Sequence, residues 1–247
     1  MVKLFSDADK IMILHNDSSF LIYFGDSGNC CVKSKGKFSS QCFNTVTQLL
    51  DLDKLIFLNQ THSCDGVSLF NSSDFAITLD LFNKDGDFLV TNLSKVGIGV
   101  LTADCLPVIF YDPVNCIAAI AHSGWRGSVD GISQKVIEEM QQKFKTKTRD
   151  LIVYFAPSAK ACCYQVGQDF IVNLDNSIFL NQVILKRNEK YFFDLPKFVR
   201  LQLLDLGVED HNIRQTYNDC TICNHNFCSY RRDGAAAARQ LTVVVLK

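Results

Sequence analysis

Apolar positions recur along the chain with two periods, and the two periods separate strands from helices. Apolar runs lie at residues 55–58, 96–101, 108–111, 117–121, 151–155 and, with one Thr, 241–246. Rich in Val, Ile and Leu and without alternation to polar residues, they predict strands buried on both faces. Between them, residues 128–144 place Val129, Ile132, Val136, Ile137, Met140 and Phe144 at three-and-four spacing opposite a face of Glu, Gln and Lys, the pattern of an amphipathic helix. A second helix is predicted from Pro196, suited to a first turn, through Phe198, Val199, Leu203 and Leu206 to a capping Gly207. Strands intermixed with helices predict an α/β chain, one mixed α/β domain over residues 1–247 with mixed sheets flanked by helices. Neither a Pro/Gly/Ser linker nor a repeat interrupts it, and the one low-complexity stretch is the alanine run 235–238.

Composition narrows the function. Of 247 residues, 47% are hydrophobic and 21% charged, enough apolar surface for a large core. A net charge of −1 without a Lys/Arg run removes the electrostatic attraction that nucleic acid requires, so no nucleic-acid partner is expected. No apolar run approaches the roughly 18 residues of a membrane span. Asp7, Asp9 and Lys10 occupy the place of a secretory leader's apolar stretch, which makes the cytoplasm the expected compartment. Eleven cysteines, an odd number in a long chain, are read as free thiols with some ligands among them rather than a disulfide framework.

Three segments bring metal-competent side chains to predicted strand ends: Asn59-Gln-Thr-His62, Thr102-Ala-Asp-Cys105 and Ala121-His-Ser-Gly-Trp-Arg-Gly127. Two imidazoles and a thiolate on rigid strand ends give zinc three protein ligands and leave a fourth position for water or substrate. The same residues read equally well as hydrogen-bonded core histidines and a buried apolar thiol, because their spacing carries no signature. After His122 two glycines allow a tight turn into the predicted helix, where backbone N–H groups can meet an anion. Arg126, and Arg231 with Arg232 and Asp233, either add guanidinium contacts to phosphate or stay solvated. Cys220-Thr-Ile-Cys223-Asn-His225-Asn-Phe-Cys228 holds the close cysteine pair of a structural zinc site, but so compact a run leaves no excursion with which to wrap an ion. It also lacks the Pro-Cys-x-x-Cys and His-x-Glu elements of base deaminases. Cys162 and Cys163, adjacent and too strained to bond each other, are read as cleft-lining thiols.

Taken together, Thr102-Ala-Asp-Cys-Leu-Pro-Val108, Ala121-His-Ser-Gly-Trp-Arg-Gly127, Cys162-Cys-Tyr-Gln-Val-Gly167, Cys220-Thr-Ile-Cys223 and Ser229-Tyr-Arg-Arg-Asp-Gly234 resemble the laccase-domain family over residues 55–247. The resemblance implies a layered α/β sandwich and a family once labelled polyphenol oxidase and now associated with purine nucleoside phosphorylase, methylthioadenosine phosphorylase and adenosine deaminase activities. It implies Zn2+ on His62, Cys105 and His122, with Cu2+ also able to bind because His/Cys donors favour it by intrinsic affinity. For such an enzyme the expected catalytic residues are Cys105, Asp104 beside it as general acid or base, and Arg126 for anionic charge, and the expected substrate contacts Gln60, Arg126, Tyr164 and Arg231, in a monomer or homodimer acting on purine nucleosides and phosphate. The chain departs from the family at His15-Asn-Asp-Ser-Ser-Phe20, at Ala156-Pro157, in the alanine run 235–238, and at Cys64, a soft donor beside His62. Three other readings stay open. Cys105 with His122 as base describes a cysteine-type amidase, such as a peptidoglycan-precursor editing hydrolase. A copper-dependent polyphenol oxidase needs more imidazoles for its oxygen-reducing cluster than the five histidines present. The third is a module whose metal is structural.

Overall fold

The apolar runs become strands of two six-stranded mixed sheets, all in their interiors except the run 55–58, which contributes an edge strand. The structure, a computed structural model, describes residues 2–7, 10–34, 37–38, 40–70, 83–174 and 178–247. The first sheet consists, in spatial order, of β1 (Val2–Asp7), β2 (Lys10–Asn16), β3 (Phe20–Phe24), β17 (Gln240–Leu246), β9 (Val96–Thr102) and β6 (Lys54–Ile56). The second consists of β16 (Ile213–Arg214), β12 (Ile152–Phe155), β10 (Leu106–Asp112), β11 (Ile117–Ser123), β8 (Phe88–Thr91) and β7 (Gly66–Leu69). Two small sheets, β4 (Lys33–Ser34) with β5 (Lys37–Phe38), and β13 (Gln165–Val166) with β14 (Ile184–Arg187) and β15 (Lys190–Phe193), lie outside them. The α-helices among the described residues are α1 (Ser40–Leu49), α2 (Trp125–Val129), α3 (Ile132–Phe144), α4 (Gln168–Asn173), α5 (Leu180–Val183), α6 (Leu195–Asp205) and α7 (Tyr230–Asp233).

The two large sheets pack face to face, which is why their strands lack a polar face. In β10, Ile109 and Tyr111 join Ile98, Val244, Phe20 and Ile120 in the layer between the sheets. Leu106, Val108 and Phe110 of the same strand point the other way, onto Ile132, Val136 and Met140 of α3 and Phe198 and Val199 of α6. Every position of β9, β10, β11 and β17 is buried as a result. A third layer covers the outer face of the first sheet, where Tyr23, Leu241 and Val243 pack on Val46 and Cys42 of α1.

The expected α/β class with mixed sheets and flanking helices is what the structure shows, and two expectations are corrected. The helix read over residues 128–144 is two helices, because Gly131 takes a left-handed φ of 87° that ends the first and opens the second. The second predicted helix holds: Asp194 caps it on the Lys197 amide at 3.1 Å and Gly207 follows it at φ 90°. The cysteines are not all free, since Cys31 and Cys42 form a disulfide that ties α1 to the chain before it. Among the described residues no helix is long and apolar enough to cross a membrane.

Candidate active site

The site forms where the chain crosses from one large sheet to the other. β9 ends at Thr102 and β10 begins at Leu106, so Ala103, Asp104 and Cys105 make the crossing, with Asp104 at φ 88°. That conformation is uncommon for a residue with a side chain and persists only where its surroundings hold it. Here the Asp104 carbonyl accepts from the Ala159 amide at 2.8 Å, Oδ1 from Thr221 Oγ1 at 2.7 Å and Oδ2 from the Arg231 amide at 2.6 Å. His62, also left-handed at φ 63°, follows β6, and His122 lies near the end of β11, in register with Pro107 of β10.

A buried carboxylate organises these pieces. Asp87, 1% exposed, accepts from the amides of Thr61, His62 and Ser63 at 3.1, 3.0 and 2.6 Å and from Ser63 Oγ at 2.8 Å. It also lies 2.7 Å from Nδ1 of His122. Burial alone would raise its pKa, but hydrogen bonds from His122 and Ser63 and the charge on His122 hold it at about 2. An ionised carboxylate only accepts, so Nδ1 of His122 carries the hydrogen and Nε2 is left for a ligand, the arrangement that outer carboxylates impose on metal-binding imidazoles. Nothing in the sequence singles out Asp87 beyond an acidic residue at the mouth of the apolar strand β8; the pairing of Phe88 with Ala121 is what sets it beside His122.

The donor atoms of His62, Cys105 and His122 lie within 4.8 Å of one another, with Cys105 Sγ 3.8 Å from His62 Nε2. A tetrahedral ion with bonds of about 2.0–2.3 Å needs its donors about 3.3–3.8 Å apart, so small side-chain movements complete the set. Gly124 makes the approach possible: a Cβ there would stand 2.8 Å from His62 Cδ2 and 3.1 Å from Cys105 Sγ. Cys64, the soft donor beside His62 in sequence, is outside the set, its Sγ 3.5 Å from the Gly127 carbonyl.

Without an ion the thiol and imidazole form a charged pair. Burial pushes the Cys105 thiol up, yet the charges of His122 and His62 and their hydrogen bonds bring it down to about 6, while His122 rises to about 9 against its own burial. Cys64, raised by burial and by Asp130, Asp87 and Asp65, reaches about 11. In chelator-treated protein, iodoacetamide is therefore expected to modify Cys105 with a midpoint near pH 6 and to spare Cys64 at neutral pH, read by peptide mass mapping. Labelling of Cys64 ahead of Cys105 would contradict the pair.

All three donors open on a cavity of about 530 Å³, within the range of small-molecule sites. Its lining also contains Gln60, Asp104, Arg126, Tyr164 and Arg231, so the expected metal ligands, catalytic residues and substrate contacts meet in one space, whereas Cys162 and Cys163, expected to line the cleft, are not part of its wall. They are not equally free. Gln60 binds both backbone groups of Leu101, at 2.9 and 2.8 Å, and fastens the segment before His62 to β9. The Arg126 guanidinium stacks 4.3 Å from the Trp125 ring, and that of Arg231 lies 5.3 Å from Tyr164. Arg232 instead binds the carbonyls of Thr221 and Phe227 and pairs with Asp233, which removes both from the expected anion contacts.

The family model described as multi-copper polyphenol oxidoreductase laccase matches residues 33–247. This chain belongs to the laccase-domain family. The laccase-domain chain is 34% identical to a purine nucleoside phosphorylase of Clostridium acetobutylicum over 243 residues, 97% of this chain and 98% of that one. It is 34% identical to adenosine deaminase RL5, from an unknown prokaryotic organism, over 205 residues, 80% of this chain and 77% of its relative. Hypothetical protein YfiH of Bacillus licheniformis, a crystal structure, matches with a TM-score of 0.86 at 25% identity and covers 98% of both chains. Relatives so named make this laccase-domain protein an enzyme of that family, with a His/Cys set that can hold a metal. The multi-copper label finds little support in its donors. His15 packs on Phe20 and Tyr154, and neither it nor His211 nor His225 joins a donor cluster among the described residues.

Proposed function

We propose that this protein is a zinc-dependent purine nucleoside enzyme. In this reading it cleaves adenosine, inosine, guanosine and methylthioadenosine with phosphate, to free base and ribose or methylthioribose 1-phosphate, and deaminates adenosine. The observation that carries it is the joint opening of His62, Cys105, His122, Arg126 and Arg231 on one cavity, a soft-metal donor set facing two guanidinium groups. The names of relatives at 34% identity, a purine nucleoside phosphorylase and an adenosine deaminase, support purine nucleosides as the substrate class.

When bound, zinc supplies Lewis-acid polarisation of the attacking oxygen nucleophile, phosphate in one reaction and water in the other. Arg126 and Arg231, restrained by Trp125 and Tyr164, bind the phosphate and hold it against the sugar carbon. Trp125, Tyr164 and Tyr230 offer rings on which a purine can stack. As the bond from sugar carbon to purine breaks, its electron pair moves to the base, which needs a proton or hydrogen bond. Asp104 is the carboxyl group in the cavity wall; as the acid it gives its proton to the ring nitrogen of the departing purine, and the carboxylate left behind is held by the Thr221 hydroxyl and the Arg231 amide.

The test is a nucleoside panel, with and without phosphate, followed chromatographically for free base and deaminated product. Cys105→Ala is expected to lose both reactions, by at least about 10³-fold. Full activity in that variant removes the metal-centred reading. For Asp104→Asn, a lower kcat with a displaced pH profile supports the proton role, whereas a raised KM for phosphate alone reduces Asp104 to the positioning of Arg231. The amidase reading rests on the Cys105–His122 charge pair. It is favoured only if the metal-free, unalkylated protein hydrolyses amides and zinc suppresses that turnover.

A further inference from the structure

Beside the cavity, four sulfur atoms from distant parts of the chain form a second donor cluster. The Sγ atoms of Cys162, Cys163, Cys220 and Cys223 all lie within 4.8 Å of one another, and those of Cys162 and Cys223 are 3.9 Å apart. A disulfide requires about 2.05 Å. Four Zn–S bonds of about 2.3 Å place the sulfurs of a tetrahedron about 3.8 Å apart, close to the separation found.

The backbone around the cluster is prepared for such an ion. The amides of Cys163 and Tyr164 both donate to the Lys160 carbonyl, at 2.9 and 2.8 Å, which folds the adjacent cysteines into a turn. The Asn224 amide donates to the Cys220 carbonyl at 3.0 Å, closing the Cys-x-x-Cys turn, and the amides of Cys223 and Ile222 point at the Cys220 sulfur. A parallel bridge between Ser158 and Cys220 holds the two turns together, with Thr221 donating to the Ser158 carbonyl at 3.1 Å. Arg187 donates to the carbonyls of Ala161 and Cys162 and brings a positive charge to a site whose thiolates outweigh a divalent ion. The excursion missing from the compact run Cys220 to Cys228 is thus supplied by the chain between Cys163 and Cys220. His225 and Cys228 take no part, and Cys228 meets Cys30 instead.

We propose that Cys162, Cys163, Cys220 and Cys223 hold a structural zinc ion, separate from the set His62, Cys105 and His122. The ion fixes the wall of the cavity, because Tyr164 follows one ligand directly and Thr221, which donates to Asp104 at 2.7 Å, follows another.

Protein purified under reducing conditions and saturated with zinc is expected to hold about two equivalents per chain, and Cys105→Ala about one. A Cys162→Ser/Cys223→Ser variant, altered at the two exposed ligands, is expected to keep about one as well. With cobalt as the probe, Cys105→Ala should retain the strong sulfur-to-metal absorption of a tetrathiolate site and the double serine variant should lose it. Should the serine variant fail to fold, wild type decides: zinc should shield all four cysteines from alkylation and a chelator should expose them. Metal-free Cys105→Ala beside wild type with about one equivalent overturns the proposal. So does recovery of disulfide-linked peptides among these four cysteines from the zinc-saturated protein.

Discussion

Asp87→Ala is expected to weaken metal binding at His62, Cys105 and His122 by at least about 10–100-fold and to destabilise the fold by about 3–5 kcal/mol, the range for removing one partner from a buried charged pair. The carboxylate is the common acceptor for three consecutive amides, the Ser63 hydroxyl and the His122 ring. Deleting it leaves those donors buried and unpaired, and each orphaned group costs about 1–3 kcal/mol unless water reaches it. Two functional consequences follow in order. Without the Asp87 contacts the left-handed turn at His62 has lost its support, so the imidazole no longer points at Cys105. Without the hydrogen bond to Nδ1, the His122 ring is free to rotate and to take the other tautomer, and loss of such an outer partner typically weakens metal binding about 10–100-fold. Denaturant unfolding and zinc titration on the same preparation test both. Asp87→Asn is expected to fall between, since one oxygen still accepts while its –NH2 faces amides that also donate. A variant that unfolds like wild type and binds zinc with unchanged affinity would mean that Asp87 only fills space.

The sequence shows the scaffold of this site more readily than its chemistry. A strand buried on both faces is apolar along most of its length, with its few polar residues mainly at the ends, so β9 to β12 and β17 stand out without knowledge of their neighbours. The break at Gly131 hides because Val129 and Ile132 keep the helical spacing across it. Metal ligands drawn from separate strand ends have no spacing signature, and it is the resemblance of whole segments to a family that singles out His62, Cys105 and His122. Long-range pairing decides the rest. Asp87 acquires its role from the register of β8 against β11, and Cys162 and Cys163 meet Cys220 and Cys223 only through the bridge at Ser158. Neighbours of one type can also divide the work: Arg231 faces the cavity, whereas Arg232 is spent on the carbonyls of its own loop.

Gly124→Ala is expected to separate chemistry from stability. The glycine sits at φ −71° and ψ 166°, a conformation open to alanine, so no backbone strain arises. Its structural duty passes through the carbonyl, which accepts from the Ser128 amide at 2.9 Å and Ser128 Oγ at 2.8 Å and survives the substitution. The new methyl group nonetheless occupies the place where His62 and Cys105 approach, at 2.8 and 3.1 Å. His62 is exposed and can swing aside, so the clash is relieved by opening the donor set rather than by moving the core. The unfolding free energy should change by less than about 1.5 kcal/mol, below the usual cost of overpacking a rigid core. Zinc affinity at this site should fall at least about tenfold, comparable to the loss of an outer partner. Nucleoside turnover should fall with it and recover at high zinc concentration if the donors can still be gathered. Wild-type affinity and turnover in a folded Gly124→Ala protein would show that His62 and Cys105 need not approach each other for catalysis. A large fall in stability would instead place the methyl group against the core, and the two results are distinguished by measuring unfolding and zinc binding side by side.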